Sequence, residues 1–108
     1  MKYCYNVEVQ MLGECERTFD LDERIGTVLG FSEDDIDERE PYRMTVLFSS
    51  ETTPRVMRER IVSLLDENPE IFYFDMIHSL GDLPQRVVIW GDGRVQEYRT
   101  RVIYEEVN

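Results

Sequence analysis

The stretch "YCYNVEVQML", residues 3–12, alternates without a break: Tyr3, Tyr5, Val7, Val9 and Met11 fall on one side of an extended chain, and Asn6, Glu8 and Gln10 on the other. A period of two marks a half-buried strand, with one face on a core and the other in water. The rest of the chain must then supply further strands beside it and a second layer over its apolar face.

Working outward, Gly13-Glu14 suits a two-residue turn, so residues 15–19 are expected to return as a short second strand. Cys15 would then sit near Leu12, with Cys4 more than ~20 Å away along the strand, too far for a disulfide. Two cysteines in 108 residues are also too few for a disulfide framework and lack the companions of a zinc site. Next, "DLDERIGTVLG", residues 20–30, places Leu21, Ile25, Val28 and Leu29 at helical spacing. Asp20 or Asp22 can cap its start; Gly26 weakens it and Gly30 ends it.

Residues 32–40, "SEDDIDERE", hold six further carboxylates and one arginine around a single apolar residue, Ile36. Ser32 with Asp35 three residues on matches a capping box, and Phe31 can staple onto Ile36, so a short helix ending at Pro41 is expected. Its first-turn acids Glu33, Asp34 and Asp35 favour the positive end of the helix dipole. In "YRMTVLFSS", 42–50, the residues Tyr42, Met44, Val46 and Phe48 again alternate as a half-buried strand. Thr53 as N-cap and Pro54 in the first turn open the clearest helix, with Val56, Met57, Ile61, Leu64 and Leu65 as its buried stripe. "IFYFDMIH", 71–78, is almost continuously apolar and predicts a central strand covered on both faces. Residues 86–90 and 94–106 form a hairpin about an Asp92-Gly93 turn of type I′.

These elements predict one α+β domain over residues 1–108: a mostly antiparallel sheet, two or three helices on one face, and a C-terminal β-hairpin. The type I′ turn sets Trp90 opposite Val95 and Arg86 opposite Arg99. One face then holds Trp90, Val88 and Val95 beside Arg86, Arg99 and Arg101, residue types enriched at protein interfaces. The other face, with Val87, Ile89, Tyr98, Thr100, Val102 and Tyr104, is expected to be the core side.

Motifs of known chemistry fail residue by residue. A calcium loop starting at Asp35 meets Arg39 at its fifth position and Glu40 at its sixth, where an acid or amide and a glycine are needed. Gly91-Asp92-Gly93 lacks the third glycine of a dinucleotide turn, and the only lysine is Lys2, so there is no phosphate-loop lysine. His78 is the single histidine, and Asp75, three residues earlier on a strand, points to the opposite face. No metal, cofactor or catalytic residue is therefore expected. No stretch approaches the ~20 apolar residues of a membrane span, and the alternating start is unlike a signal peptide, which points to a cytoplasmic protein or one in a host cell's cytoplasm.

Charge is the most informative remaining feature. The chain carries a net −11, and residues 14–40 contain eleven acids and three arginines. Such a field opposes direct nucleic-acid binding and attracts basic grooves. The sequence thus points to a non-enzymatic acidic binding protein, with Glu33, Asp34, Asp35, Asp37 and Glu38 facing a basic partner. Nucleic-acid-processing proteins have such basic surfaces, and the chain resembles, in class and composition only, the small acidic inhibitors of phages and mobile elements that mimic nucleic acid. Two alternatives remain: a small enzyme or ligand-binding domain using His78 and carboxylates in a cleft, and a homo-oligomer formed through the Trp90 hairpin or the edge of residues 3–12.

Overall fold

The alternating segment becomes β1 (Tyr3–Met11), and it lies inside the sheet with a partner on each side. The computed structural model describes residues 1–107. After β1 come α1 (Phe19–Leu29), a 3₁₀ turn (Glu33–Asp35), β2 (Ile36–Arg39), β3 (Arg43–Ser50), α2 (Pro54–Glu67), β4 (Ile71–Ser79), β5 (Gln85–Trp90) and β6 (Val95–Arg99). The sheet order is β2-β3-β1-β4-β5-β6, with every neighbouring pair antiparallel. Elements β1 to β4 with the two helices have the split βαβ connectivity of a ferredoxin-like arrangement. The β5–β6 hairpin extends that sheet on the β4 side.

Both helices pack on one face. Tyr5, Val7, Val9 and Met11 of β1, Met44 and Val46 of β3, and Phe74 and Met76 of β4 are buried in one cluster with Leu21, Ile25 and Leu29 of α1 and Met57, Ile61 and Leu64 of α2. The α+β class is therefore as the alternation predicts. The Thr53 hydroxyl accepts from the Val56 N–H, and Pro54 opens α2 as expected. Its predicted stripe is buried except for Val56, which is exposed.

Four local expectations change. Residues 12–18 form a loop instead of a returning strand, because Thr18 caps α1 by accepting from the Leu21 N–H at 3.1 Å and Arg17 N–H bonds to the Pro41 carbonyl at 2.7 Å. The cap is thus Thr18 and not Asp20 or Asp22. Gly30 ends α1 at φ +90°, while Gly26 is needed where the chain doubles back: a Cβ there would stand 2.8 Å from the Phe31 carbonyl oxygen. The capping box of Ser32 and Asp35 does form, yet it closes only one 3₁₀ turn. With Ile36 as its one apolar residue the segment has no stripe to bury as a helix, so it continues as edge strand β2, with Ile36 opposite Val46. Finally, β4 is covered on one face only: Phe72 and Ile77 remain exposed.

The hairpin differs by a single residue, with a large consequence. Gly93 alone in the turn has positive φ, and Trp90 N–H bonds to the Arg94 carbonyl at 2.9 Å. The loop is therefore the three residues 91–93 with a bulge-forming glycine, not the two-residue type I′ turn. Register moves by one, pairing Ile89 with Val95, Arg86 with Tyr98 and Gln85 with Arg99. A one-residue slip turns every side chain of the second strand over. Regular pairing stops at Arg99, and Thr100, Val102 and Tyr104 are exposed instead of core.

Gly91 sits where this hairpin meets β4. Its N–H bonds to the Phe72 carbonyl, and a Cβ would lie 2.9 Å from the Ile71 carbonyl oxygen and 3.3 Å from that of Phe72. Backbone cannot yield as a side-chain tip can. Gly91→Ala is expected to lower stability by about 1–3 kcal/mol, read as a reduced urea midpoint with an unchanged denaturant slope; an unaltered midpoint would mean that this contact is not tight.

Candidate functional site

Three surfaces hold the polar chemistry. The first is the edge made by the 12–18 loop, α1, the 3₁₀ turn and β2, which together contain the acidic segment. Arginines tie it from within. Arg17 pairs with Asp22 and donates through Nε to the Glu40 carbonyl at 2.6 Å. Arg39 approaches Asp22 at 3.9 Å and Glu33 at 3.3 Å. Arg43 of β3 binds Glu38 at 2.6 Å and Glu40 at 3.4 Å. The remaining acids of this edge, Glu14, Glu16, Asp20, Glu23, Asp34, Asp35 and Asp37, have no guanidinium partner among the described residues; all are exposed except Asp35, which is half-buried. Asp35 is occupied in part, accepting from the Ser32 N–H at 2.9 Å.

Of the acidic residues singled out from sequence, then, Asp34 and Asp37 stand free, Asp35 serves the capping box, and Glu33 and Glu38 are partly neutralised. Periodicity did not reveal a hollow of about 260 Å³ between α1 and residues 31–36. Phe19, Phe31 and Ile36 form its apolar lining, with Asp22, Glu23 and Glu33 around them. Phe19 is 67 % exposed there, a large apolar side chain left in water. Asp22, although buried, keeps one carboxylate oxygen, Oδ1, without a hydrogen-bond partner among the described residues.

The second surface is the helix-free face of the sheet, where charges are largely satisfied among themselves. Arg43 donates to Glu8 at 2.8 Å, and the Tyr73 hydroxyl donates to the other Glu8 oxygen at 2.6 Å. Arg86 makes a two-pronged bond to Asp75 at 2.9 and 2.7 Å and lies 5.1 Å from the Tyr98 ring centroid. Trp90 packs edge-on against Phe72 and Tyr73, and Arg94 stacks over it at 4.6 Å. The register shift divides the expected cluster of Trp90, Val88, Val95, Arg86, Arg99 and Arg101. Trp90, Val88 and Arg86 stay on this open face, whereas Val95 and Arg99 pass to the helix side with Gln85 and Glu97. Arg101 lies beyond the strand, exposed and without an ion pair among the described residues.

The third surface lies on the helix side, where β5 and β6 extend past α2. A groove of about 490 Å³ is lined there by Arg55 and Arg58 of α2, His78 of β4, Gln85 of β5, and Glu97 and Arg99 of β6. The histidine thus does border a cleft, but its neighbours are mainly guanidinium groups; Glu97 is the carboxylate in the lining and is paired with Arg58. Asp75 is on the far face, as alternation requires. Arg55 and Arg58 share a helix face through i, i+3 spacing, a signal present in the sequence. Nothing in the sequence announced that Arg99 would join them.

Among the described residues no three His, Cys, Asp or Glu side chains converge so as to hold a metal ion, and no helix is long and apolar enough to cross a membrane. Cys4 and Cys15 are free and exposed. Comparison with protein-family models, with curated proteins and with solved structures finds no match to this chain.

Two titrations follow from the geometry. Burial alone would push the Glu8 carboxyl up, but hydrogen bonds from Tyr73 and Arg43 outweigh it and hold the group below the usual carboxylate range. Burial, with the bond to Glu8, pushes Tyr73 up to about 12. Burial also lowers His78, against an opposing pull from Asp82. In both Glu8 and His78 the folded state binds protons more weakly than the unfolded chain, so stability is complete above the unfolded pKa and declines as pH falls. The melting temperature should accordingly drop from about pH 6.5 downward and more steeply below about pH 4.3. His78→Gln should flatten the first slope and Glu8→Gln the second; profiles parallel to the parent protein would contradict these assignments.

Proposed function

We propose that this is a non-enzymatic binding protein that docks its acidic edge on a basic partner. The carrying observation is the pairing of six exposed carboxylates free of guanidinium partners among the described residues, Glu14, Glu16, Asp20, Glu23, Asp34 and Asp37, with the apolar hollow beside Phe19. An exposed apolar centre inside a charged rim is the anatomy of a protein interface. A lysine or arginine of the partner can lay its aliphatic stem on Phe19 and Phe31 and bring its charge to Glu23 and the buried Asp22 carboxylate. The rim carboxylates then raise the association rate and make it dependent on salt.

The partner class that fits best is a protein whose own basic groove takes nucleic acid, with the carboxylates standing where phosphates would. Inhibition of a nucleic-acid-processing protein is the corresponding biological role. Residues 41–108 carry a net −3, against −8 for residues 14–40, so the attraction has a direction as well as a sign.

A nona-arginine peptide serves as a partner surrogate. Binding measured by fluorescence anisotropy should be saturable, weaken with salt, and fall about tenfold or more when Asp20, Glu23, Asp34 and Asp37 become amides. The control removes the same four charges elsewhere, at Asp66, Glu67, Glu105 and Glu106. Equal losses in both quadruple variants would show that net charge, not this edge, attracts the peptide.

A further inference from the structure

The groove beside His78 is not explained by docking through the acidic edge, and it has the opposite sign. Arg55, Arg58 and Arg99 line it against one carboxylate, Glu97; Arg86 also borders it, but its guanidinium is held by Asp75 on the other face. In a chain of net −11 such a local excess of positive charge is against the trend of the whole surface. Arg58 is answered by Glu97. Arg55 has only a loose contact of 3.8 Å with Glu59, outside the groove, and Arg99 has no acidic partner among the described residues. Pro54 also lines the space, so the first turn of the fourteen-residue α2 opens onto it and adds the positive end of the helix dipole. His78 and Gln85 supply neutral hydrogen-bonding groups, and neither has a side-chain hydrogen bond to another described residue. Met76 and Val87 form an apolar floor.

The volume of about 490 Å³ is that of a small-molecule site. Planar guanidinium groups recognise oxyanions through paired N–H donors, and a phosphate offers three acceptor oxygens to such a set. We infer that this groove binds a small, multiply charged oxyanion, of which a phosphate-bearing metabolite is the best fit. The apolar floor would take the organic part and the arginines the phosphate. The inference is independent of the acidic edge: the two surfaces share no residue. Five inter-strand steps of about 4.8 Å separate β2 from β6, some 24 Å across the sheet. That exceeds a Debye length of ~8 Å at physiological salt, so the two fields act separately.

The test is calorimetric titration of the intact protein with inorganic pyrophosphate, and in parallel with citrate and a short single-stranded oligonucleotide. One-site saturation by pyrophosphate, tighter than by citrate, is the expected result. Arg55→Ala and Arg99→Ala should each weaken it about tenfold or more, and Glu97→Gln should tighten it. Both arginine side chains are exposed, so the melting temperature of those variants should not change. No saturable binding at millimolar pyrophosphate, equal binding by the Arg55→Ala/Arg99→Ala double variant, or tighter binding of citrate would each overturn the assignment. Binding of the oligonucleotide without binding of pyrophosphate would overturn it as well, making the groove part of a polyanion track.

Discussion

Everything in this molecule hangs on the burial of one face of β1. Tyr5, Val7, Val9 and Met11 are at most 2 % exposed; the first three lie between partners from β3 on one side and β4 on the other, and Met11 is paired with Ile71 of β4. Fully burying such side chains stabilises a fold by about 1.5–3 kcal/mol apiece. The face can be covered only from one side, because Glu8 and Gln10 on the opposite side need water or charge partners. Both helices are therefore confined to the same layer. The constraint also fixes register, since a slip of one residue in β1 would exchange Val7 for Glu8 in the core.

A one-sided cover leaves the sheet with unequal edges. The β2 edge receives the acidic helix α1 and the acidic turn before β2, so the negative charge collects there. At the opposite end β5 and β6 extend the sheet past α2, and the space beneath them becomes the arginine-lined groove. The open face between them is settled by its own ion pairs, from Glu38 through Arg43 to Glu8 and from Asp75 to Arg86. Surface pairs of this kind contribute little stability individually, but they occupy groups that would otherwise be available to a partner. Among the described residues, unpaired carboxylates crowd the β2 edge, with others such as Asp66 and Glu67 at the end of α2, while Arg99 is left unpaired at the opposite end. In the reading proposed above, a domain of this construction meets a basic macromolecule at one edge and a small anion at the other.

The sheet was legible wherever local pattern and tertiary need agree. The alternation of residues 3–12 and 42–50, the Thr53-Pro54 helix start, and the opposite orientations of Asp75 and His78 follow directly from period and capping chemistry. Disagreement arose where one local signal admits two outcomes. A Ser32–Asp35 capping box is the same in a single 3₁₀ turn and in a longer helix; the choice was made by Ile36, which gains burial as a strand residue opposite Val46. Gly91-Asp92-Gly93 can close a two-residue or a three-residue loop, and the tight approach of Gly91 to the β4 carbonyls goes with the longer one. The acidic edge was readable as composition, though not which carboxylates are neutralised, since Arg17, Arg39 and Arg43 are placed by the fold. The groove was not readable: its lining comes from four elements whose residues share no sequence period.

The central claim is that two surfaces of opposite sign work independently at the two ends of one sheet. The most direct measurement follows the backbone amides of a uniformly ¹⁵N-labelled sample by two-dimensional NMR, first with an oligoarginine peptide and then with pyrophosphate. The account predicts two disjoint sets of shifted amides: residues 14–40 with the peptide, and the neighbourhoods of Arg55, His78, Gln85 and Arg99 with pyrophosphate. Shifts spread evenly over the sheet, or the same amides responding to both probes, would contradict it.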